Sequence, residues 1–206
     1  VFPELCMTGY TCGDLFTQEV LLKDAMRGLC KVADHTKDKN GLYFVGVQLA
    51  VEGKLYNTAA ALNRGEILGF TTKSFLPNYG EFYEMRQFCK GPDTARMIRF
   101  DGREIPFGPQ LLFAAEEMEE LIISAEICED VWCPVPPSIQ AAREGAVLIA
   151  NCSASDETIG KAAYRRSLIE GQSARLICGY IYANAGEGES TTDLVFGGHN
   201  MIAENG

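Results

Sequence analysis

The chain has 206 residues and a hydrophobic content of 47%, enough for one large domain with a substantial core. Its formal net charge of −10 argues against a nucleic-acid backbone or an anionic membrane surface as the main partner. No apolar run approaches the roughly 20 residues that a membrane-spanning helix needs, so we expect neither nucleic acid nor membrane as a partner.

The first half of the chain predicts one helix followed by hairpins. Leu22, Ala25 and Leu29 recur at helical spacing behind Thr17, a residue type that caps helices, and this helix is predicted to end near His35. Three strands follow, over Leu42 to Ala50, Leu55 to Leu62 and Glu66 to Thr72. A smaller hairpin, Met97 to Phe100 and Arg103 to Pro106, is predicted around Asp101-Gly102.

The second half alternates strands and helices. An apolar run from Leu121 to Ile127 predicts a strand buried on both faces, which ends at Cys128. Helix, strand, helix and strand are then predicted over Pro137 to Glu144, Ala146 to Ala150, Lys161 to Arg175 and Leu176 to Ala183. Hairpins first and alternation later predict a mixed sheet in an α/β domain.

Secondary structure is interrupted at both ends of the chain. Val1 to Leu5 reads as the end of a strand running into a loop. At the other end, Glu204-Asn205-Gly206 is a hairpin-turn signal without a returning strand, which leaves the strand before it unpaired. We therefore expect a domain truncated at both ends.

Eight cysteines and two histidines bound the metal and redox chemistry. No C-x-x-C pair occurs, and the only histidines are His35 and His199, so we expect no metal site. The chain is too long and too rich in core residues to resemble a disulfide-stapled secreted domain. We therefore expect reduced thiols and a cytoplasmic location.

Cys128 is the candidate nucleophile because it follows a predicted buried strand, where α/β folds place active sites. On local sequence alone, a small buried hydrophobic residue is the commoner role of such a cysteine. A thiol needs a base or a nearby cation to react, and neither histidine is well placed, which favours a carboxylate. Glu4 and Lys73 each follow a predicted strand, although an ordinary surface residue is the commoner role of each type taken alone.

Three separated motifs, taken together, resemble the nitrilase, or carbon–nitrogen hydrolase, superfamily. They are Phe2-Pro3-Glu4-Leu5 with Thr8-Gly9-Tyr10, Lys73 with Leu76-Pro77 and Phe82-Tyr83-Glu84, and Glu126-Ile127-Cys128-Glu129-Asp130. The resemblance implies an α/β fold, the αββα four-layer sandwich of the family. It also implies a catalytic triad of Glu4, Lys73 and Cys128.

Further motifs resemble the glutaminase domains of glutamine-dependent NAD synthetases. They are Tyr10 to Phe16, Asn151 to Ser155, Ile159 to Arg166 and Gly186 to Leu194. This resemblance implies one glutaminase domain over residues 1–206 that takes glutamine and needs no cofactor. ATP, Mg²⁺ and deamido-NAD are expected in an absent synthetase domain, because no S-G-G-x-D-S-like phosphate-binding run occurs here. A homo-oligomer is also expected.

The same resemblance implies a glutamine pocket and a mechanism of acyl transfer to sulfur. The pocket residues are Tyr10, Tyr79, Glu129, Trp132 and Ser155; Glu129 or Ser155 would meet the α-amino or α-carboxylate group, while Tyr79 and Trp132 are equally typical of core aromatics. Glu4 is the general base and later the general acid. Lys73, with the Glu129 backbone N–H, stabilises the oxyanion and holds down the thiol pKa.

Glu84 is expected to orient Lys73, with a surface ion pair to Arg86 as the alternative. Two other functions remain open. A stand-alone amidase or nitrilase acting on another small amide or nitrile would use the same triad. A catalytically silent binding or oligomerisation module would keep only the fold, and the presence of all three triad residues argues against it.

Overall fold

A computed structural model describes residues 1–206 and contains two five-stranded sheets. The first sheet has the order β1-β2-β3-β5-β4, with β1 (Tyr43–Val51), β2 (Lys54–Asn63), β3 (Glu66–Thr72), β4 (Arg96–Phe100) and β5 (Arg103–Gly108). The second has the order β10-β9-β8-β7-β6, with β6 (Leu112–Ala115), β7 (Met118–Ile127), β8 (Leu148–Ser153), β9 (Gly179–Asn184) and β10 (Met201–Glu204).

Three helices cover the outer faces of the two sheets. Helix α1 (Glu19–Asp34) packs on the first sheet, and α2 (Pro137–Arg143) and α3 (Lys161–Leu176) pack on the second. The result is the αββα sandwich that the sequence predicts. Short 3-10 segments lie at Tyr10–Thr17, Glu84–Arg86 and Cys128–Trp132. None of the helices combines the length and the apolar character needed to cross a bilayer.

The side chains of strand β2 alternate between two hydrophobic clusters, one under α1 and one between the sheets. Ala60 and Leu62 share a cluster with Leu29 of α1, whereas Ala59 and Ala61 share a cluster with residues of the second sheet. The cluster between the sheets consists largely of small side chains: Phe44, Ala59, Ala61, Ala125, Ile127, Cys128, Ala150 and Cys152. Because successive side chains point to opposite faces, both faces of β2 are buried.

The topology brings several chain segments to one edge of the sandwich. Strands β7, β8 and β9 are parallel, so their carboxyl ends meet at the same edge. The segment before α1 bridges the two sheets there: the Phe2 amide donates to the Phe44 carbonyl at 2.9 Å, and the Glu4 amide donates to the Ser153 carbonyl at 3.2 Å. Glu4 therefore lies beside the ends of strands from both sheets.

Several predicted elements are confirmed closely. Strand β3 has the predicted bounds, and α1 ends at the residue before His35. The β4–β5 hairpin turns at Asp101 and Gly102, whose φ angles of 46° and 77° are those of a tight hairpin turn.

The structure differs from the prediction at three places. Thr17 does not cap α1: its hydroxyl donates to the Asp14 carbonyl at 2.7 Å, and the cap residue is Gln18. Strand β6 is not predicted by the sequence, because four residues at a half-exposed sheet edge carry little pattern. Strand β10, expected to be unpaired, pairs antiparallel with β9.

Gly46 is the position where strand β1 meets the Glu4 segment most closely. A Cβ atom there would lie 2.2 Å from the Pro3 carbonyl oxygen and 2.4 Å from the Leu5 amide nitrogen. Both neighbours are backbone atoms that cannot rotate away. We therefore predict that Gly46→Ala lowers the free energy of unfolding by about 1–3 kcal/mol, as overpacking does, measured by urea denaturation.

The matched control is Gly171→Ala in α3, where a Cβ atom would meet nothing within 4 Å. Alanine has a higher helix propensity than glycine. The free energy of unfolding of that variant is therefore expected to rise by about 0.5–1 kcal/mol. Equal changes in the two variants would contradict the close approach at Gly46.

Candidate active site

Glu4 lies fully buried, with both carboxylate oxygens occupied by donors. Its Oε1 accepts from Lys73 Nζ at 2.7 Å and from Asn57 Nδ2 at 2.6 Å, and its Oε2 accepts from the Ala154 amide at 3.0 Å. These partners come from the end of β3, from β2 and from the residue after β8. The carboxylate is thus fixed by three distant segments of chain.

Lys73 is buried and shared between two carboxylates. Besides Glu4, its Nζ contacts Glu84 Oε1 at 2.6 Å. The same Glu84 oxygen accepts the Tyr10 hydroxyl at 2.7 Å. Glu84 therefore lies against Lys73, whereas Arg86 pairs with Asp14 at 2.7 Å on the surface.

Burial and charge set the proton affinities of this cluster. Burial alone would lower the Lys73 pKa, because it disfavours the charged ammonium group. The charges of Glu4 and Glu84 have the larger combined effect, and the Lys73 pKa is raised. Burial raises the pKa of Glu84 to about 7, opposed by Lys73 and reinforced by Glu4. Lys73 is therefore held as a cation, while Glu84 can exchange a proton near neutral pH.

Cys128 follows β7 in a strained backbone conformation. Its φ is 44°, in the left-handed region that residues other than glycine rarely adopt. The Cys128 amide donates to Asn151 Oδ1 at 3.2 Å, which helps to hold this turn. The thiol lies among the charges of Glu4 and Lys73, although neither group is hydrogen-bonded to it.

Asp130 ties the turn at Cys128 to the loop after Lys73. Its Oδ2 accepts the Ile127 amide at 2.9 Å, and its Oδ1 accepts the amides of Ser74 and Phe75 at 3.0 and 2.9 Å. This buried carboxylate therefore fixes the residue before Cys128 relative to the two residues after Lys73.

The resting thiol is held in its neutral form. Burial, followed by the charge of Glu4, raises the pKa of Cys128, and Lys73 opposes them only in part. The expected effect of Lys73 has the right sign, but the net shift is upward. A base must therefore take the proton when the sulfur attacks, and Glu4 is the fully buried carboxylate whose charge acts most strongly on it.

The five predicted pocket residues make four separate contacts. Tyr10 contacts Glu84, as described above. Tyr79 donates from its hydroxyl to Glu129 at 2.9 Å and is 58% exposed, so it is not a core aromatic. Trp132 stacks on Tyr164 with ring centroids 5.5 Å apart, and Ser155 accepts a hydrogen bond from Arg165 Nη2 at 3.2 Å.

Lys161 lies near the Phe82 and Trp132 rings and is not among the residues predicted from the sequence. Its Nζ lies 5.5 Å from the Phe82 ring centroid and 5.6 Å from that of Trp132, and it also pairs with Asp156. The charge of Lys161 also acts on Glu129. A cation and a carboxylate thus lie near each other on the Tyr79 side of the cluster.

Other side chains of the site also escape prediction, because their role comes from long-range contacts. Asn57 bonds Glu4, and Asn151 and Asp130 hold the turn at Cys128. Neither histidine contacts the thiol: His35 lies against the carbonyl of Lys31, and His199 against Arg165. No group of three or more histidine, cysteine, aspartate or glutamate side chains is arranged to hold a metal ion.

Comparison with known families gives one match that spans nearly the whole chain. The model of the family described as Carbon-nitrogen hydrolase matches residues 1–205. The chain belongs to the carbon-nitrogen hydrolase family.

Relatives within the carbon-nitrogen hydrolase family align with nearly the whole of this chain. The glutamine-dependent NAD(+) synthetase of Mycobacterium tuberculosis is 45% identical over 206 residues, covering 100% of this chain and 30% of the relative. That of Aquifex aeolicus is 33% identical over 201 residues, covering 98% and 32%. The chain thus spans about a third of the length of these curated relatives.

Solved structures show the same carbon-nitrogen hydrolase fold. A glutamine-dependent NAD(+) synthetase from Cytophaga hutchinsonii superposes with a TM-score of 0.87 and 32% identity, covering 99% of this chain and 32% of that one. An amidase of the nitrilase superfamily from Nesterenkonia AN1 gives a TM-score of 0.72 at 22% identity, covering 99% and 68%. The second likeness concerns the fold alone.

The raised pKa of Glu84 predicts a pH-dependent contribution to stability. Between its ordinary value of 4.5 and about 7, the folded state binds this proton and the unfolded state does not. The contribution is therefore present at low pH and is lost as the pH rises through about 7, by roughly 3 kcal/mol in total. Glu84→Gln should remove this pH dependence. As the pH rises from about 5 to 8, the unfolding free energy of the wild type should therefore fall relative to that of the variant.

Urea denaturation at several pH values measures this difference. Glu187→Gln, at an exposed position, is the matched control and should follow the wild type at every pH. If the curves of Glu84→Gln and wild type ran parallel, the raised pKa would be wrong.

Proposed function

We propose that this chain hydrolyses the side-chain amide of glutamine through a thioester on Cys128. The ammonia would serve the ATP-dependent amidation of deamido-NAD to NAD. The observation that carries the proposal is the buried Glu4–Lys73–Glu84 cluster beside a strained, buried cysteine. Relatives that match nearly the whole chain are glutamine-dependent NAD(+) synthetases, which supports glutamine as the substrate.

The first half-reaction uses Glu4 as the base. As the sulfur of Cys128 attacks the amide carbon, Glu4 takes the thiol proton and the carbonyl oxygen becomes an oxyanion. The ammonium of Lys73 and the amide of Glu129, in the first turn of the Cys128–Trp132 segment, would stabilise that oxyanion. One such donor typically contributes about 3 kcal/mol to transition-state stabilisation. Glu4 then gives its proton to the departing nitrogen, and ammonia leaves.

The second half-reaction reverses these roles. Glu4 removes a proton from water, the hydroxide attacks the thioester carbon, and the C–S bond breaks to release glutamate. Glu4 returns its proton to the departing sulfur, which restores the Cys128 thiol. One carboxylate can serve both steps because it alternates between base and acid. Lys73 stays charged throughout, since two carboxylates raise its pKa.

Glutamine selectivity would come from one carboxylate, Glu129, and one hydroxyl group, Ser155. Glu129, oriented by the Tyr79 hydroxyl, would accept the α-ammonium group of the substrate. The hydroxyl of Ser155 is held by Arg165, so Ser155 would face the α-carboxylate group from a fixed position. Tyr10 and Trp132 would supply apolar walls.

The remaining steps of the proposed reaction lie outside this chain. ATP, Mg²⁺ and deamido-NAD would bind in a synthetase region of the kind that the longer relatives have room for, and this domain would need no cofactor of its own. We also propose that the enzyme is a cytoplasmic homo-oligomer.

Replacement of Cys128 tests the proposal. In the intact protein, Cys128→Ala should lower glutamine-dependent NAD formation by at least about 10³-fold, because the thioester cannot form without the sulfur. NAD formation from added ammonia should stay near the wild-type rate, since that route does not use the thiol. Both rates can be measured on one preparation.

Cys89→Ala is the matched control, because Cys89 is an exposed free cysteine. It should leave both rates unchanged. Wild-type glutamine turnover in Cys128→Ala would remove Cys128 from its role. Faster release of ammonia from another small amide than from glutamine would instead favour a stand-alone amidase.

A further inference from the structure

One exposed segment reaches across the molecule to Tyr10, and the mechanism above does not use it. The segment is Gly186 to Phe196, which follows β9. Both carboxylate oxygens of Glu189 lie 3.0 Å from the Tyr10 amide, and Oε2 also accepts the Thr11 hydroxyl at 3.3 Å. The Tyr10 ring packs edge-on against Phe196, with centroids 6.0 Å apart. Tyr10 is thus held at its backbone and at its ring by the same segment.

The backbone before Tyr10 is shaped around this carboxylate. Gly9 has a φ of 90°, and a Cβ atom at Gly9 would lie only 3.0 Å from Glu189 Oε2. Glycine is therefore required there both by conformation and by the nearby carboxylate. Because Glu189 is half-buried in a largely exposed segment, its contact with Tyr10 is not part of a hydrophobic core.

Tyr10 passes this restraint to the reacting groups. Its hydroxyl donates at 2.7 Å to Glu84 Oε1, the same oxygen that accepts from Lys73 Nζ at 2.6 Å. Lys73 in turn contacts Glu4. A continuous path of hydrogen bonds and one tyrosine side chain therefore joins the exposed segment to the cluster.

We propose that Glu189 is a positioning residue that fixes Tyr10 so that its hydroxyl holds Glu84 against Lys73. The inference rests on the proposed function only in taking Glu4, Lys73 and Cys128 as the reacting groups. Without Glu189, the Tyr10 amide loses its acceptor and the tyrosine is free to shift. A displacement of about 1 Å at a positioned group can cost up to about 10²-fold in rate.

The test compares Glu189→Ala and Glu189→Gln with Glu187→Ala in the intact protein. Glu187 is exposed and is the nearest acidic neighbour in the same segment. Glu189→Ala should lower kcat for glutamine hydrolysis about tenfold or more, with KM within about twofold and Tm within a few degrees of wild type. Glu189→Gln should recover part of the rate, because its carbonyl oxygen still accepts the Tyr10 amide. Glu187→Ala should match wild type, and wild-type kcat in Glu189→Ala would overturn the proposal.

A double-mutant cycle tests the path through Tyr10. If Glu189 acts through the tyrosine hydroxyl, adding Glu189→Ala to Tyr10→Phe should lower kcat by no more than about twofold, well below its effect alone. Full additivity of the two losses would overturn the path.

The alkylation rate of Cys128 by iodoacetamide, followed by peptide mass, separates this proposal from the identity of the substrate. Glu189→Ala should slow alkylation several-fold, since a displaced Lys73 lowers the thiol pKa less. If glutamine is not the substrate, wild type and variants alike will not hydrolyse it, yet the alkylation rates will still differ. Equal alkylation rates would contradict the positioning role.

Discussion

The rest of the site depends on one buried ammonium group. Lys73 Nζ has no exposure to solvent and lies 2.6–2.7 Å from two carboxylates that are themselves buried. An isolated charge in such surroundings costs many kcal/mol, and removing one partner from a buried pair typically costs about 3–5 kcal/mol. Glu4 and Lys73 must therefore come together as the protein folds, because neither buried charge is tolerated without the other.

This requirement explains why so much backbone is fixed around the cluster. Gly46 lets the Glu4 segment lie directly on β1, and the Ala154 amide holds the far carboxylate oxygen of Glu4. Asp130 joins the loop after Lys73 to the strand that ends at Cys128. Each contact crosses from one sheet or loop to another, so the cluster is braced from both halves of the sandwich.

The sequence predicts the parts of this arrangement that have local patterns. Strand β3 and the loop positions of Lys73 and Cys128 follow from apolar runs and turn residues, and the order of three motifs identifies the family. Asn57 gives no such signal, because nothing in the sequence of strand β2 indicates that the fold brings Glu4 to it. Strand β6 escapes because its four half-exposed residues carry little pattern, and the cap of α1 escapes because the Thr17 hydroxyl bonds back to the Asp14 carbonyl. The upward shift of the thiol pKa depends on burial, which no local pattern reports.

The neutral, buried state of Cys128 also affects how readily its sulfur is oxidised. Peroxides react with thiolates, and susceptibility follows thiolate character and solvent access. At rest, Cys128 has little thiolate character and little access to solvent, whereas Cys89 lies on the surface. The sulfur that the reaction needs is thus shielded from oxidants by the same burial that makes it depend on a base. Burial therefore orders the cysteines by access: a peroxide in solution reaches Cys89 before it reaches Cys128.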